Sequence, residues 1–239
     1  MLSELTKRIE DRKSRIGIVG LGYVGFPLAL RFAERGFEVV GFDTDPHKAE
    51  VIARRQSYFS HISHERVGAA VDQGLSVTSD IAKASNLDAI IICLPTPLGK
   101  HQEPDLSFVT EAMDNLAPYV RAGQVISLES TTYPGTTEEE IVPRLEAQGL
   151  SVGEDVFVVY SPEREDPGNK NFATQTIPKV IGGHTRACLI AGSRLYGEAI
   201  DQLVPVSSTR TAEMTKLLEN IHRAVNIGLV NELKMVTNY

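Results

Sequence analysis

The stretch RIGIVGLGYVG, residues 15–25, decides the fold of this chain. Its first five residues form an apolar run typical of a buried strand, and the residues that follow it have helical periodicity. Between the two lie Gly20, Gly22 and Gly25. In such a unit the first glycine permits a tight turn, the second lets a ligand approach the backbone, and the third lets the helix pack closely. The pattern predicts an anion-binding turn at the start of a helix.

The second apolar run, residues 38–43, ends in Asp43, 18 positions after Gly25. An acidic side chain at this place accepts hydrogen bonds from an adenosine ribose and repels a 2′-phosphate, and Thr44 brings no compensating guanidinium. We therefore predict NAD rather than NADP as the cofactor. Lys48 either lines the adenosine pocket or is a solvated surface lysine. The residues predicted to surround the pyrophosphate are Gly20, Gly22, Tyr23, Val24 and Gly25.

Short apolar runs alternate with helix-periodic stretches along most of the chain. The runs are 15–21, 38–43, 89–94, 124–129, 156–161, 179–181 and 203–206, with 75–78 as a weaker candidate. The helix candidates between them are 24–35, 46–54, 106–117, 137–148 and 186–200. This alternation predicts an α/β fold, namely a Rossmann-type, doubly wound and mostly parallel sheet.

The C-terminal part of the chain is predicted to be one long helix. From Thr209 to about Val236 the pattern is helical, with no proline and with Gly228 as its one glycine. Ser208 or Thr209 is the expected N-cap. We predict that residues 1–14 are an N-terminal extension, 15–207 the NAD-binding domain and 208–239 the beginning of a long central helix.

Composition and charge exclude several classes of protein. The net charge of −7 argues against a broad nucleic-acid-binding surface, and no apolar run is long enough to span a membrane. The two cysteines, Cys93 and Cys188, lie far apart, which favours a reduced, cytoplasmic protein. His61 and His64 lack a third ligand, so we expect no metal site.

Five motifs in the chain together resemble the UDP-glucose/GDP-mannose dehydrogenase family of nucleotide-sugar 6-dehydrogenases, and particularly its UDP-N-acetyl-sugar branch. They are the glycine motif at 20–25, LPTPL with EPDLS at 94–107, ESTTYPGT at 129–136, YSPEREDPG at 160–168 and AEMTKLLEN at 212–220. The resemblance implies oxidation of a sugar C6 alcohol to a carboxylate with two NAD, through a cysteine thioester that water hydrolyses. UDP-N-acetylglucosamine is the implied substrate, and surface polysaccharide precursors are the implied product class.

The resemblance also assigns roles to residues at the ends of predicted strands. Thr96 lies in a loop against the cofactor, while Thr131 contacts NAD and orients the hydrolytic water. Glu163 is the general base of thioester hydrolysis, and Arg164 and Glu165 contact the sugar nucleotide. Each assignment has a simpler alternative. Thr96 could lie in an ordinary turn at the end of a strand, and Thr131 could make only a local hydrogen bond. The charged residues from Glu163 to Glu165 could form a solvated loop. Glucose-type members of the family carry a second glutamate at the position of Pro167. A role of that second glutamate therefore does not carry over to this chain.

On the long helix, Lys216, Asn220 and Arg223 share one face because they are spaced i, i+4 and i+7. The resemblance makes Lys216 the catalytic lysine, as oxyanion stabiliser or base, with Asn220 assisting by hydrogen bonds and Arg223 contacting substrate. A solvated polar face is the alternative. Apolar residues around the rest of the helix suggest a homodimer formed through it.

Neither cysteine fits the family's nucleophile, because Cys93 lies inside an apolar strand and Cys188 lies in a helix without the motif. We therefore expect the nucleophile and the uridine-binding domain to lie beyond Tyr239, and a fragment that binds NAD but is inactive alone. Two other functions stay open: a two-electron β-hydroxyacid dehydrogenase, and a non-catalytic NAD-binding module.

Overall fold

The structure, a computed structural model, describes residues 1–100, 103–163 and 177–237. These residues form an eight-stranded sheet in the order β3-β2-β1-β4-β5-β6-β7-β8, with helices on both faces. The strands are β1 (Arg15–Val19), β2 (Glu38–Phe42), β3 (Ser76–Thr78), β4 (Ala89–Ile92), β5 (Val125–Leu128), β6 (Phe157–Tyr160), β7 (Lys179–Gly183) and β8 (Leu203–Val206). The helices are α1 (Leu2–Glu10), α2 (Gly25–Glu34), α3 (Pro46–Ala53), α4 (His64–Asp72), α5 (Ser107–Leu116), α6 (Val142–Glu146), α7 (Arg186–Gly197) and α8 (Thr209–Thr237).

The doubly wound, mostly parallel sheet is confirmed. Strands β1 to β6 run parallel to one another. All of them except the edge strand β3 are buried along most of their length, because helices cover both faces of the sheet. The exception is β7, which runs antiparallel to β6 and pairs Gly182 with Tyr160. This direction carries the first residue of β7, Lys179, past the carboxyl end of β6.

Two helices were not anticipated from the sequence. Helix α1 occupies the predicted N-terminal extension and buries Leu5 and Ile9 in the core shared with α7. Helix α4 begins after Ser63, whose Oγ accepts a hydrogen bond from Arg66 N at 3.3 Å. The helix predicted over 137–148 is a π-helical turn, Thr137–Ile141, followed by α6.

Asp88 joins several elements at the amino edge of the sheet. Its buried carboxylate accepts hydrogen bonds from Arg8 of α1, from the backbone N–H of Arg15 and from Arg121, at 2.9, 2.9 and 3.2 Å. Two arginines thus compensate the charge of a carboxylate whose side chain is only 5% exposed.

Helix α8 leaves the sheet after the predicted N-cap. Ser208 Oγ accepts a hydrogen bond from Thr211 N at 3.1 Å, while Ala212 and Glu213 are buried. Beyond this first part the helix is exposed, so its apolar side chains have few neighbours within the described chain. In the described residues, no helix combines the length and apolar character needed to cross a membrane.

Candidate active site

The glycine turn between β1 and α2 has the local geometry that its spacing predicts. Gly20 has φ of +89°, and a Cβ there would lie 2.6 Å from the carbonyl oxygen of Cys93. A Cβ on Gly25 would lie 1.9 Å from Gly20 O, so the helix packs against the turn only without a side chain. A Cβ on Gly22 would instead meet nothing within 4 Å. The structure therefore needs two of the glycines for packing, while Gly22 leaves space open beside the backbone.

That open space suits a pyrophosphate. In the described part of the chain, the backbone N–H groups of Tyr23 and Val24 have no protein acceptor, and they lie at the start of α2. Unpaired N–H groups and the helix dipole together favour an anion at such a turn. The residues present thus fit a dinucleotide, with its phosphates beside Gly22.

Asp43 lies at the carboxyl end of β2 and faces this turn. Its Oδ2 accepts hydrogen bonds from Leu21 N at 2.9 Å and Lys48 Nζ at 2.6 Å, and its Oδ1 accepts from Asp45 N at 3.0 Å. Burial raises the pKa of Asp43, but these hydrogen bonds outweigh it and leave the pKa below its usual value. Asp43 is therefore a carboxylate at neutral pH, and Lys48 contacts it rather than solvent alone.

One cavity of about 860 Å³ joins most of the predicted site residues. It extends along the carboxyl edge of the sheet from Asp43 on β2 to Glu163 after β6, which is where open α/β sheets bind ligands. Gly25 lies outside its wall and acts through packing. The predicted cofactor and catalytic residues that line the cavity are Gly20, Gly22, Tyr23, Val24, Asp43, Lys48, Thr96, Thr131 and Glu163.

Two threonines lie together in the half of the cavity away from Asp43. Thr96 Oγ1 donates a hydrogen bond to the carbonyl oxygen of Thr131 at 2.7 Å, which ties the loop after β4 to the loop after β5. Ser130 Oγ reinforces the junction by accepting from Leu94 N at 3.0 Å. The Thr131 side chain stays exposed and is available to a ligand.

Lys216 of α8 contacts Glu163, which lines this end of the cavity. Its Nζ donates a hydrogen bond to the backbone carbonyl of Glu163 at 2.5 Å. Burial lowers the pKa of Lys216, partly offset by the Glu163 and Glu219 carboxylates. Asn220 and Arg223 follow on α8 and are exposed. Arg164 and Glu165, the other predicted substrate residues, lie outside the described residues.

A buried carboxylate that sequence reasoning passed over holds α8 in place. Glu213 Oε1 accepts hydrogen bonds from Thr137 N and Thr137 Oγ1 at 2.8 and 2.6 Å, and Oε2 accepts from Gly135 N at 2.6 Å. Glu213 is a residue of α8, and it thereby caps the start of a separate helical turn, the one that begins at Thr137. Since Lys216 follows one turn later on α8, this clamp sets the position of its ammonium group.

A second unanticipated feature is a buried ion pair beneath the far end of the cavity. Lys179 Nζ lies 3.0 Å from Glu129 Oε2 and donates to Pro162 O at 3.3 Å, while Tyr196 OH donates to Glu129 Oε1 at 2.5 Å. Burial raises the pKa of Glu129 despite the Lys179 ammonium. Burial alone would lower the pKa of Lys179, but the Glu129 and Glu163 carboxylates raise it. Lys179 is therefore protonated. In the sequence, this ion pair is indicated only by one charged residue beside each of two apolar runs: Glu129 at the end of the first and Lys179 at the start of the second.

The glycine turn, the acidic residue after β2 and the cavity along the strand ends together define a dinucleotide-binding domain of the Rossmann class. Residues 14–200 match the profile of the UDP-glucose/GDP-mannose dehydrogenase family, NAD binding domain. The chain belongs to this family, and its cofactor is NAD, as the sequence predicted.

The comparisons also identify individual proteins to which the chain is similar. It is 38% identical to Protein CapL of Staphylococcus aureus over 92% of this chain and 52% of CapL. It is 36% identical to UDP-N-acetyl-D-glucosamine 6-dehydrogenase of Pseudomonas aeruginosa, over 94% and 53%. The solved UDP-N-acetyl-mannosamine dehydrogenase Cap5O from Staphylococcus aureus superposes with a TM-score of 0.84 at 34% identity, over 93% and 54%. The chain thus spans about half the length of the curated relatives it matches.

Proposed function

We propose that this chain carries the NAD-binding half of a nucleotide-sugar 6-dehydrogenase that oxidises the C6 alcohol of a UDP-N-acetylhexosamine, UDP-N-acetylglucosamine foremost, to the uronic acid. One observation carries the proposal: Lys216 of α8 donates a hydrogen bond to the backbone carbonyl of Glu163, which lines the cavity at the end opposite Asp43. A dinucleotide with its adenosine at Asp43 has its nicotinamide at that opposite end. Groups suited to acid–base chemistry therefore lie where hydride transfer takes place.

Lys216 is the residue that acts on the alcohol in this proposal. Because burial lowers its pKa, its neutral form is more accessible near neutral pH than that of an exposed lysine. The neutral amine can take the C6 hydroxyl proton, and the ammonium form can stabilise negative charge on that oxygen. NAD, when bound, accepts the hydride.

Other residues supply positioning and the second half of the reaction. We assign Glu163 as the base that activates water for thioester hydrolysis, and Thr131 as the group that orients this water. Asn220 and Arg223, one and two turns beyond Lys216, provide hydrogen bonds and charge for the sugar nucleotide. Arg164 and Glu165 are proposed to contact the sugar from the segment after Glu163.

The thioester step needs a cysteine that neither thiol of this chain supplies. Cys188 is fully buried between α7 and β6, where Val158 N donates to its Sγ. Cys93 borders the cavity, but burial raises the pKa of its thiol well above the usual range. We therefore propose that the nucleophile comes from outside these 239 residues, and that the chain alone binds NAD without turnover.

We also propose that the enzyme is a homodimer joined through α8. Leu218, Val225, Leu229 and Val230 are each more than half exposed on this helix. An exposed apolar surface of this extent is typical of a protein interface.

The substrate proposal is tested by counting NADH. The chain is fused to the C-terminal half of the Pseudomonas aeruginosa relative, and the chimera is given limiting UDP-N-acetylglucosamine or UDP-N-acetylmannosamine. Two NADH per sugar are expected, because the alcohol and then the aldehyde are each oxidised. The 239-residue chain by itself should bind NAD in calorimetry and form no NADH.

Other yields of NADH would contradict the proposal in distinct ways. One NADH per substrate, with a β-hydroxyacid accepted in place of the sugar, would assign a two-electron dehydrogenase. A folded chimera that binds NAD and oxidises no UDP-sugar would assign a non-catalytic NAD-binding module.

Asp43 offers a test of the preference for NAD over NADP. In an Asp43→Asn variant the repulsion of a 2′-phosphate is removed, and the Lys48 ammonium, now unpaired, attracts that phosphate. We expect the ratio of NADP to NAD dissociation constants to fall by about tenfold or more, measured by isothermal titration. Asp45→Asn is the matched control, because Asp45 lies in the same loop and asparagine still caps α3. An unchanged ratio in Asp43→Asn would place the adenosine ribose elsewhere.

A further inference from the structure

The buried pair of Glu129 and Lys179 presents its negative member to the cavity. Glu129 forms part of the cavity wall, whereas Lys179 is not part of this wall as far as the described residues show. Their side chains are 0% and 7% exposed, so water screens them little. The pair is therefore a fixed dipole, and Glu129 is the member of it that borders the ligand space.

The hydrogen bonds around Glu129 fit a carboxylate rather than a carboxylic acid. One oxygen faces the Lys179 ammonium, and the other accepts from Tyr196 OH, which itself contacts Ser127 Oγ at 2.8 Å. Each oxygen thus has its own donor, and neither donor residue is among the described residues that line the cavity. Glu129 is consequently poorly placed to exchange a proton with substrate, and the mechanism above gives it no role.

The position of Glu129 along the sheet identifies the part of the ligand that it meets. Strands β2 and β5 are three strand spacings apart in the sheet order, or about 14 Å. With the adenosine ribose at Asp43 after β2, the end of β5 therefore lies toward the nicotinamide half of the cavity. The nicotinamide ring carries a positive charge when oxidised and none when reduced.

We propose that Glu129, held in place by Lys179 and Tyr196, makes the site prefer oxidised over reduced cofactor by placing a fixed negative charge at the nicotinamide end of the cavity. The inference rests on the proposed function, because it requires NAD to occupy this cavity. It goes further by assigning a residue that favours binding of the oxidised reactant and release of the reduced product. Glu163 and Lys216 also bring charges to this end, and they remain the same in the variants compared below.

The test is the ratio of the NADH and NAD dissociation constants, measured on the 239-residue chain by calorimetry and by NADH fluorescence. In Glu129→Gln this ratio is expected to fall by about tenfold, from the interaction of unit charges at an effective dielectric constant of about 20. Asp88→Asn is the matched control. It removes another buried, arginine-paired carboxylate, but at the amino edge of the sheet, so the ratio should stay unchanged.

A merely structural role predicts a different result. If Glu129 and Lys179 only hold the Pro162 loop, both affinities change by the same factor in Glu129→Gln and the ratio stays constant, which overturns the proposal. Should circular dichroism show that Glu129→Gln is unfolded, the same measurement is made on the double variant Glu129→Gln/Lys179→Met, which removes both charges of the pair. The ratio of its NADH and NAD dissociation constants must also fall, because the negative charge is the one nearer to the ligand. Wild-type chain that binds neither cofactor form would instead refute the proposed function itself.

Discussion

A Gly22→Val variant is expected to fold like the wild-type chain and to lose NAD affinity by about a hundredfold or more. The Cβ of residue 22 would meet no protein atom within 4 Å, and Gly22 has no positive φ, so the fold has no need for glycine here. The added side chain instead occupies the space beside the free N–H groups at the start of α2. Losing two hydrogen bonds to a charged phosphate accounts for an effect of about this size.

Calorimetric NAD titration and thermal unfolding, measured on the same samples, separate binding from stability. Gly228→Ala is the matched control, because residue 228 also has open space for a Cβ but lies on the exposed part of α8. It should gain about 0.5–1 kcal/mol in helix stability and bind NAD normally. Gly25→Ala should lower the melting temperature, since its Cβ would lie 1.9 Å from Gly20 O. Normal NAD binding by Gly22→Val would show that the pyrophosphate lies elsewhere.

The central strands were predictable because each is an apolar run that helices cover on both faces. The predicted runs 15–21, 38–43 and 89–94 differ from β1, β2 and β4 only in their last one or two residues. All of these residues except Leu21 line the cavity. Helix α1 escaped prediction because its sequence is mostly charged. Leu5 and Ile9 become recognisable as a core-facing stripe only when α7 is present to cover them.

The site was predictable where it depends on parallel strands ending at one edge. Asp43, Thr96, Thr131 and Glu163 each follow such a strand, so their convergence follows from the sheet itself. The pairing of Glu129 with Lys179 was not predictable in this way. It depends on the antiparallel direction of β7, which the short run 179–181 does not reveal.

The same limit applies to contacts between elements distant in sequence. Glu213 stands in a motif that indicated a catalytic helix, yet nothing local to it identifies its partner as the turn at Thr137, 76 residues earlier. A glutamate near a helix start is ordinarily read as a solvated residue that favours its own helix dipole. Only the packed structure shows that it caps another helix and so fixes the position of Lys216.

Replacing Lys216 is expected to have the largest effect on catalysis. In the chimera with a C-terminal half, Lys216→Met should lower kcat by about a thousandfold, because the group that takes the C6 proton or stabilises the oxyanion is gone. NAD affinity, measured on the 239-residue chain, should change little, since Lys216 Nζ contacts Glu163 O and α8 forms no part of the glycine turn. A large loss of NAD affinity would instead assign Lys216 to cofactor binding.

Lys216→Arg separates the two chemical roles of the lysine. If neutral Lys216 is the base, kcat of the wild-type chimera rises with pH and levels off above the pKa of Lys216, which burial sets below the 10.5 of an ordinary lysine. Arginine keeps the positive charge but does not lose its proton in this range, so the variant should lose both activity and this pH dependence. Substantial activity in Lys216→Arg, with a flat profile, would instead assign the residue to stabilising the oxyanion. Activity in Lys216→Met close to wild type would contradict both roles, and with them the observation on which the proposed function depends.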